Sequence, residues 1–392
     1  MPEPAHTVRC AADAASIRIN TRVYELQRQG IDIIVLSLGE AHFDLPLLPL
    51  DPLPHPQIYH YSHSRGIPEL REAICKYYRD AFGVPVDPEQ ELLITAGSKA
   101  AIHFAMMATL EPGDEVIIPE PAWVSYREQA RLCRAEPIML PLATPVCEYA
   151  RVVTTRTRLL VINNPNNPSG RVYTAGELQH LLDLARRHDF FILADEAYSD
   201  FTPADAFTSL GRLDPAREHA AICNSISKTF GLSGWRIGYV IARADLLEQI
   251  LKINQHIITC APTILQHYVA VHFQTLRDLT APQIRAVLDK RRAVAGLLNS
   301  LNLTRLPGDA TFYFFLDIAP GSLRSEAFCT RLLEEERISA VPGIGYGPSC
   351  DSFIRISIGA ASLEKIEYAL QRIRQLIDQS ASRVPVRQMQ HE

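Results

Sequence analysis

Helical patterns alternate with short apolar runs along most of the chain, which is the layout of a mostly parallel sheet covered by helices. Thr174 and Glu177 form a T-x-x-E capping box, and apolar residues then recur at i, i+3, i+4 and i+7. The apolar run from residue 190 is too short for a helix and indicates a buried strand that ends at Ala194. The pattern therefore predicts an α/β fold with a mostly parallel sheet.

Polar motifs directly follow several of the predicted strands. Asp195 and Glu196 come after the strand that ends at Ala194, and the runs LLVIN (159–163) and AAICNSI (220–226) also lead into polar segments. In open α/β sheets, ligands bind at the carboxyl ends of the strands. We therefore expect the candidate ligand groups to meet at one edge of one sheet.

The pattern changes near residue 284, where a long charged helix begins. The strand-like runs TFYFFLDI (311–318) and FIRISIG (353–359) follow, and an amphipathic helix spans 363–377. Such a mixture after a parallel sheet predicts a smaller α+β domain. We predict a large ligand-binding domain over 48–283 and a small domain made of 1–47 and 284–392.

Composition and charge exclude several classes of partner. The 392 residues are 47% hydrophobic and carry a formal net charge of -5, so no basic field attracts nucleic acid or anionic lipid. The N-terminus has no signal-peptide character and no apolar stretch approaches about 20 residues, so we expect a cytoplasmic protein without a membrane span. Eight cysteines form no CxxC pair, and we expect reduced thiols and no metal site.

The chain has only six lysines, so a reaction that needs a lysine has few possible positions. An amine attacks an aldehyde only when it is neutral, which favours a partly desolvated lysine beside other cations. Lys228 follows a predicted buried strand, and Ser225 and Arg236 lie nearby in sequence. Most loop lysines are simply exposed. These neighbours instead offer hydroxyl and guanidinium groups that suit a phosphorylated aldehyde.

The segment SISKTFGLSGWRIG (225–238) resembles the S-x-S-K-x-F-x-x-x-G-W-R-x-G signature of class I/II aminotransferases, which are fold-type I pyridoxal-phosphate enzymes. The resemblance extends from about Leu36 to Gly359, with further motifs in the family's order. It implies a sheet of the seven-stranded type in the large, cofactor-binding domain. It also implies that Lys228 holds pyridoxal 5'-phosphate as a Schiff base, while Ser225 and Arg236 bind the phosphate.

The motifs DEAY (195–198) and NNPNNPSG (163–170) match the family's segments around the pyridine ring. A carboxylate at the ring nitrogen keeps the ring protonated, so that it accepts electrons from the substrate. The resemblance implies this role for Asp195, and contacts of Tyr198 and Asn167 with the ring's phenolic oxygen. Glu196 is expected to be a structural acid.

The segment that begins TAGSKAAIHF at residue 95 has a glycine turn that opens a helix, and such a turn presents amides to phosphate. The resemblance implies that Ser98 and Lys99 bind the cofactor phosphate here, mainly through backbone amides. Trp123, in EPAWVSY, matches the family's aromatic residue that stacks on the pyridine. Tyr61 matches the tyrosine that reaches the phosphate of a neighbouring subunit, which implies a homodimer with shared active sites.

An arginine inside an apolar strand is costly unless a carboxylate pairs with it, and Arg355 in FIRISIG is such a residue. The resemblance implies that Arg355 binds the substrate α-carboxylate, and that Gly39 in LSLGEAHFD lines the substrate side. The implied reaction is transamination between an L-amino acid and a 2-oxo acid. In this reaction Lys228 also removes the α-proton.

The sequence departs from the family in one motif. Relatives have G-E-P-x-F-x-x-P, whereas this chain has GEAHFDLP, with Ala41 and His42 after the glutamate. Four further residues could contact the substrate side chain or transfer protons: His60, His63, Arg65 and His256. Residues of these types, however, more often lie exposed on the surface or are packed without a catalytic role. A distal substrate carboxylate has only weak candidate partners, which are Arg18, Arg65 and Arg127.

Two other functions are also compatible with parts of this sequence. A lyase or cyclase that acts on a polar or guanidino amino acid would share Lys228 and Asp195, so the motifs do not separate it from a transaminase. An effector-sensing domain of a transcription regulator would need an N-terminal DNA-binding module. Only about 35 residues precede the first motif and they have no basic patch, which argues against that function.

Overall fold

The computed structural model describes residues 2–381. Residues 382–392 of the predicted small domain lie outside the described range. The α-helices are α1 (His6–Arg9), α2 (Ala15–Arg28), α3 (Pro68–Phe82), α4 (Ser98–Thr109), α5 (Tyr126–Leu132), α6 (Ala175–His188), α7 (Leu210–Leu213), α8 (Ile226–Thr229), α9 (Ala244–Ile257), α10 (Thr263–Ser300), α11 (Ser325–Glu336) and α12 (Leu363–Ala381).

The strands form three sheets. In chain order they are β1 (Ile34–Val35), β2 (Leu92–Thr95), β3 (Glu115–Pro119), β4 (Glu136–Leu140), β5 (Thr157–Asn163), β6 (Phe191–Asp195), β7 (Ala220–Ser225), β8 (Gly238–Ile241), β9 (Tyr313–Asp317), β10 (Ile338–Ser339), β11 (Val341–Pro342) and β12 (Phe353–Ser357). Short 3-10 helices span Gln57–Tyr59, Val146–Val152, Ser233–Trp235, Gly343–Tyr346 and Pro348–Cys350.

The largest sheet has seven strands in the order β2-β8-β7-β6-β5-β3-β4. Strand β8 is antiparallel to both of its neighbours, and all the other pairs are parallel. The prediction of an α/β fold with a mostly parallel seven-stranded sheet is therefore confirmed.

Helices cover both faces of this sheet, which explains why successive residues of its central strands are apolar. Leu193 of β6 packs into a buried cluster with residues of α4 and α9, whereas Ile192 and Ala194 pack into another cluster with α6. Successive side chains of a strand point to opposite faces, so both sets must be apolar. The buried strands hold the sheet rigid under the polar residues at its edge.

The carboxyl ends of the parallel strands meet at one edge of the seven-stranded sheet. Asn163, the last residue of β5, pairs with Asp195, the last residue of β6, and Asp195 pairs with Cys223 of β7. Strand β8 runs the other way, so its first residue, Gly238, pairs with Ser225 at the end of β7. The antiparallel β8 thus brings the segment before Gly238 to the same edge.

Helix α6 begins where the capping box predicts. Thr174 Oγ1 accepts a hydrogen bond from the Glu177 amide at 3.2 Å, and Glu177 Oε2 accepts one from the Thr174 amide at 2.9 Å. The apolar stripe of this helix is buried against the sheet at Leu178, Leu181, Leu182 and Ala185. The amphipathic helix predicted from residue 174 onward is confirmed.

The two smaller sheets connect the beginning and the end of the chain. Strand β1 pairs in parallel with β10, and β12 pairs antiparallel with both β11 and β9. Helix α10 runs without a break through the predicted boundary at 283/284. Its buried Leu276 packs with the cluster that includes β2 and β8, and Ile284 packs with the cluster that includes β9 and β12. The domain boundaries themselves stay a prediction.

Within residues 2–381, no helix has the length and apolar character that a membrane crossing requires. In the same range, no group of three or more His, Cys, Asp or Glu side chains is arranged to hold a metal ion.

Replacing Thr174 by alanine should lower the free energy of unfolding by about 1 kcal/mol, because the first turn of α6 loses the side chain that accepts from its amide. Urea unfolding measured by circular dichroism would reveal the loss as a lower midpoint. Thr174→Ser is the matched control, since it keeps the hydroxyl and should unfold close to the parent. Equal midpoints for the alanine and serine variants would contradict this account of the helix start.

Candidate active site

A cavity of about 320 Å³ opens at the carboxyl edge of the seven-stranded sheet, beside β9 and β12. The structure brings all of the predicted site residues except Tyr61 into its lining. These lining residues are Gly39, Ser98, Lys99, Trp123, Asn167, Asp195, Tyr198, Ser225, Lys228, Arg236 and Arg355. Further lining residues, without a role in the sequence-based prediction, include Ser16, Asn20, Glu40, Asn163, Ser233 and Tyr313.

Lys228 lies on the short helix α8, which follows the buried strand β7. Its Nζ donates a hydrogen bond to the Gly39 carbonyl oxygen at 2.5 Å. Burial lowers the pKa of Lys228 from its usual 10.5 to about 8, while the nearby Glu40 carboxylate raises it and the Arg355 guanidinium lowers it. A substantial fraction of this amine is therefore neutral near physiological pH, as attack on an aldehyde requires.

Asp195 is buried at the end of β6, where two donors hold its carboxylate. Tyr126 donates its hydroxyl hydrogen to Oδ2 at 2.5 Å, and the Ala197 amide donates to Oδ1 at 3.1 Å. Burial raises the pKa of Asp195, and these two hydrogen bonds lower it. Tyr126 was not predicted, although it lies in the EPAWVSY segment. The need of a buried carboxylate for hydrogen-bond donors could have indicated such a residue.

A polar network surrounds Tyr198 and joins three parts of the chain. The Tyr198 and Tyr313 hydroxyl oxygens are 3.0 Å apart, and Asn167 Nδ2 lies 3.5 Å from the Tyr198 hydroxyl. Asn163 fixes the loop that carries Asn167, since its Oδ1 accepts from the Asn167 amide at 2.6 Å and its Nδ2 donates to the Asp195 carbonyl at 2.9 Å. Tyr313 was missed because its partner Tyr198 is distant in sequence, whereas Asn163 lies in the NNPNNPSG motif itself, four residues before its partner Asn167.

One corner of the cavity combines helix amides with cations. Ser98 begins α4, and Lys99 Nζ lies 5.1 Å from the centroid of the Trp123 ring. Gly97 has φ of +86°, and a Cβ at Gly97 would collide with the Arg236 guanidinium. A Cβ at Gly238 would collide with the Ser98 amide nitrogen. The two glycines therefore let Arg236 and the start of α4 approach closely, in an arrangement that suits phosphate.

Arg355 lies buried on β12. Its Nη2 donates to the Ser37 carbonyl oxygen at 2.6 Å, and its guanidinium carbon lies 4.5 Å from the Tyr313 ring centroid. Its Nε is buried without a hydrogen-bond partner in the part of the chain that the structure describes. Its Nη1 donates to Asn167 Oδ1 at 3.4 Å, and a Cβ at Gly39 would lie 3.1 Å from the Tyr313 hydroxyl and 3.9 Å from this Nη1, so Gly39 borders both groups. Such a buried cation suits an incoming carboxylate.

The histidines that the sequence singled out lie outside the cavity lining. His60, His63 and His256 are exposed, and His63 Nδ1 accepts from the Arg65 amide at 3.2 Å. His42 is also exposed, but its Nε2 lies 3.8 Å from Glu40 Oε2, which does line the cavity.

The three arginines suggested for a distal carboxylate each contact a protein carboxylate elsewhere. Arg65 is buried and pairs with Glu248, Arg18 pairs with Glu326, and Arg127 Nε lies 2.8 Å from Glu128 Oε1. None of them lines the cavity.

Glu196 and Tyr61 both lie apart from the cavity lining. Glu196 is buried and accepts from the Leu210 amide and the Ser209 hydroxyl, both at 2.9 Å, and burial raises its pKa to about 8. These contacts attach α7 to the end of β6. The Tyr61 side chain is 86% exposed. Its predicted contact is with another subunit, so its role stays a prediction.

The model of the family "Aminotransferase class I and II" matches residues 52–373. The chain belongs to this family. It is 32% identical over 375 residues to an aspartate aminotransferase of Pyrococcus abyssi, and the match covers 91% of this chain and 94% of the relative. It is also 32% identical over 369 residues to aromatic-amino-acid aminotransferase 2 of Thermococcus litoralis, with 89% and 93% covered.

Among solved structures, this aminotransferase is similar to the aspartate aminotransferase from Thermus thermophilus with maleate. The TM-score is 0.87 at 31% identity, with 96% of this chain and 100% of that one covered. The resemblance that the motifs indicated is therefore confirmed. The protein is an enzyme that uses pyridoxal phosphate to transfer an amino group between an amino acid and a 2-oxo acid. The lyase or cyclase alternative is not favoured by these relatives.

The residues in the cavity fit pyridoxal phosphate. The corner between α4 and Arg236 provides amides and cations for a phosphate, and the collision expected for a Cβ at Gly97 indicates how tightly this corner is built. The buried carboxylate of Asp195 suits a ring nitrogen, and Lys228 offers an amine of lowered pKa in the same cavity.

In the cofactor-free aminotransferase, the reactivity of Lys228 should increase with pH through a midpoint near 8 and level off above it. The reason is that the reactive neutral amine replaces the ammonium over that range. Competitive acetylation at a series of pH values, read by mass spectrometry of the Lys228 peptide, measures this midpoint.

Glu40→Gln should lower that midpoint further, because the Glu40 carboxylate raises the Lys228 pKa. Asp44→Asn, an exposed position four residues further along the same segment, is the matched control and should leave it unchanged. A Lys228 midpoint near that of an ordinary lysine, about 10.4, would contradict the burial effect.

Proposed function

We propose that Lys228 is the residue to which the cofactor aldehyde attaches, and that it moves the α-proton in transamination between an L-amino acid and a 2-oxo acid. The observation that carries this proposal is the cavity itself. It holds a lysine of lowered pKa, a buried carboxylate at Asp195 and a cationic corner at Arg236. When bound, pyridoxal phosphate supplies an aldehyde that reacts with amines and a protonated ring that accepts electrons.

Four residues at one end of the cavity bind the phosphate in this proposal. Ser98 and Lys99 contribute amides at the start of α4, where the helix dipole favours an anion. Ser225 and Arg236 contribute a hydroxyl and a guanidinium from the two ends of the segment that carries Lys228.

The ring contacts come from strand ends and their loops. Asp195 keeps the proton on the ring nitrogen, and the hydrogen bond from Tyr126 fixes the orientation of its carboxylate. Tyr198 and Asn167 contact the phenolic oxygen, and the 3.5 Å separation of their polar atoms supports a shared role. Trp123 packs on the ring face, which limits its tilt.

The substrate is oriented by Arg355. Its guanidinium forks onto the α-carboxylate, and Gly39 leaves room for that group. Tyr313 lies under the guanidinium and limits its movement. Once the substrate amine has replaced Lys228 at the aldehyde carbon, Lys228 Nζ would be free to accept the proton of the substrate Cα, and its lowered pKa keeps part of the amine neutral for this task.

Borohydride reduction of the cofactor-loaded protein should fix the phosphopyridoxyl group on Lys228, because reduction makes the bond between amine and aldehyde permanent. Peptide mapping by mass spectrometry identifies the modified lysine. Lys228→Ala should carry no label, whereas Lys252→Ala, which removes an exposed lysine of α9, should label as the parent does. A label on another lysine of the parent protein would contradict the proposal.

The same protein should produce about one equivalent of 2-oxo acid per subunit from an amino donor alone, and turn over continuously once a second 2-oxo acid is added. Continuous release of ammonia without an acceptor would instead indicate elimination.

We also propose that the enzyme works as a homodimer with shared active sites, in which Tyr61 reaches the phosphate bound by its partner. Support comes from the exposed apolar side chains of Leu47 and Leu50 on the segment that precedes Tyr61. A partner subunit would cover them if they form one patch, since contiguous apolar patches mark protein interfaces. All eight cysteines are free, which supports the cytoplasm as the proposed compartment.

Sedimentation should give twice the mass of one chain, and Tyr61→Phe should raise the Kd for pyridoxal phosphate about ten-fold, since a hydrogen bond to a charged group is lost. Tyr59→Phe is the matched control, because Tyr59 is an exposed tyrosine two residues away. A monomer, or equal affinities in the two variants, would refute the shared site.

A further inference from the structure

The helix that carries Lys228 is a single turn. Helix α8 has four residues, Ile226–Thr229, and among the described residues the Ser225 side chain makes no capping hydrogen bond at its start. One turn closes too few backbone hydrogen bonds to be stable by itself, so contacts with other elements must fix its position. The position of the Lys228 amine therefore depends on how the rest of the protein holds α8.

Two side chains of α8 make hydrogen bonds within the described part of the chain. Lys228 Nζ donates to the Gly39 carbonyl oxygen, and the Thr229 hydroxyl donates to Asp200 Oδ2 at 2.6 Å. In the proposed function the Lys228 amine attaches to the cofactor and later takes a proton, so its bond to Gly39 is not permanent. The hydroxyl of Thr229 takes no part in the reaction, so its bond to Asp200 can persist throughout.

Asp200 is anchored from a second direction. Its Oδ2 also accepts from the Tyr77 hydroxyl of α3 at 2.7 Å. Burial raises the pKa of Asp200, while the hydrogen bonds from Thr229 and Tyr77 and the charge of Arg277 lower it. The Arg277 guanidinium of α10 lies 4.8 Å from the centroid of the Tyr77 ring. Since hydrogen bonds to a carboxylate are short and strong, Asp200 ties α8 firmly to α3.

Asp200 also belongs to the segment that contacts the cofactor ring in the proposed function. It lies two residues after Tyr198 and five after Asp195. The Ser199 hydroxyl, between Tyr198 and Asp200, accepts from Asn224 Nδ2 of β7 at 3.2 Å, which fixes this segment on the sheet. One carboxylate thus links the segment around the ring to the helix of the reacting amine.

We propose that Asp200 and Thr229 are positioning residues for the transfer of the α-proton. The proposal rests on the proposed function, in which Lys228 first attaches to the cofactor and then accepts the proton of the substrate Cα. While Lys228 is attached, the covalent bond itself fixes the amine. Once the substrate amine has replaced it, only the protein holds Lys228. The hydrogen bond between Thr229 and Asp200 then keeps α8 where the amine reaches the Cα proton.

Thr229→Val has nearly the shape of threonine but lacks the hydroxyl. In a single turnover of cofactor-loaded protein, it should form 2-oxo acid about ten-fold or more slowly, as the loss of a hydrogen bond to a charged group implies. Borohydride labelling of Lys228 should stay at the parent level, because attachment does not need the hydroxyl, and it counts the loaded sites. Thr229→Ser keeps the hydroxyl and should restore most of the rate per labelled site. Equal rates in the valine and serine variants would overturn the proposal.

Asp200→Ala removes the acceptor and should slow the single turnover by a similar factor. In the double variant with Thr229→Val the loss should be no greater than in the slower single variant, because the partner is already missing. Losses that multiply in the double variant would show that the two side chains act independently, against the proposal.

Deuterium at the donor Cα identifies the step that is slowed. The twenty standard amino acids are supplied to the parent, and the fastest donor is repeated with deuterium at Cα. A misplaced amine slows proton removal itself, so the isotope effect in Thr229→Val should be at least as large as in the parent. An isotope effect that falls towards one would show that another step has become limiting, and would overturn the proposal.

Hydrogen exchange of the cofactor-free protein gives a readout without catalysis. The peptide of residues 225–231 should exchange faster in Thr229→Val than in the parent and in Thr229→Ser, because α8 has lost its side-chain anchor. Equal exchange in the three proteins would overturn the positioning role whatever the rates are. Faster exchange in the valine variant, with no 2-oxo acid from any donor in the parent, would instead contradict the proposed transamination and leave the anchoring of α8 standing.

Discussion

The common direction of the strands in the central sheet is the constraint on which the active site depends. Asn163, Asp195 and Ser225 end three neighbouring parallel strands, and their backbone positions are fixed by the ladder beneath them. The antiparallel β8 begins at the same edge, so Arg236 arrives there from the opposite direction. The sheet thus positions the groups that bind the cofactor phosphate and those that contact its ring before the cofactor arrives.

Three of the cations in the cavity donate hydrogen bonds to backbone carbonyl oxygens. Lys228 donates to Gly39, Arg355 donates to Ser37 and Arg236 donates to Ser233. A carbonyl oxygen orients a cation without neutralising it, so each remains available for an anionic group of cofactor or substrate. A carboxylate in its place would pair with the cation and compete with that ligand.

The sequence identified the residues that a strand end fixes, and it missed the residues that only the packed chain brings near. Lys228 and Asp195 each follow a buried apolar run, which predicts their place at the ligand-binding edge of the sheet, and the resemblance to class I/II aminotransferases then implies their roles. Tyr126 and Tyr313 reach the site from other elements, so no local pattern reveals them. Arg65 illustrates the opposite error, because a candidate for ligand binding is instead buried against Glu248.

A crystal structure of the aminotransferase loaded with pyridoxal phosphate would show directly which residues hold the cofactor. We expect a covalent bond between Lys228 Nζ and the aldehyde carbon, with the ring nitrogen about 3 Å from the Asp195 carboxylate. The phosphate should lie at the start of α4, in contact with Arg236. A ring nitrogen turned away from Asp195, or a covalent bond to another lysine, would contradict this expectation.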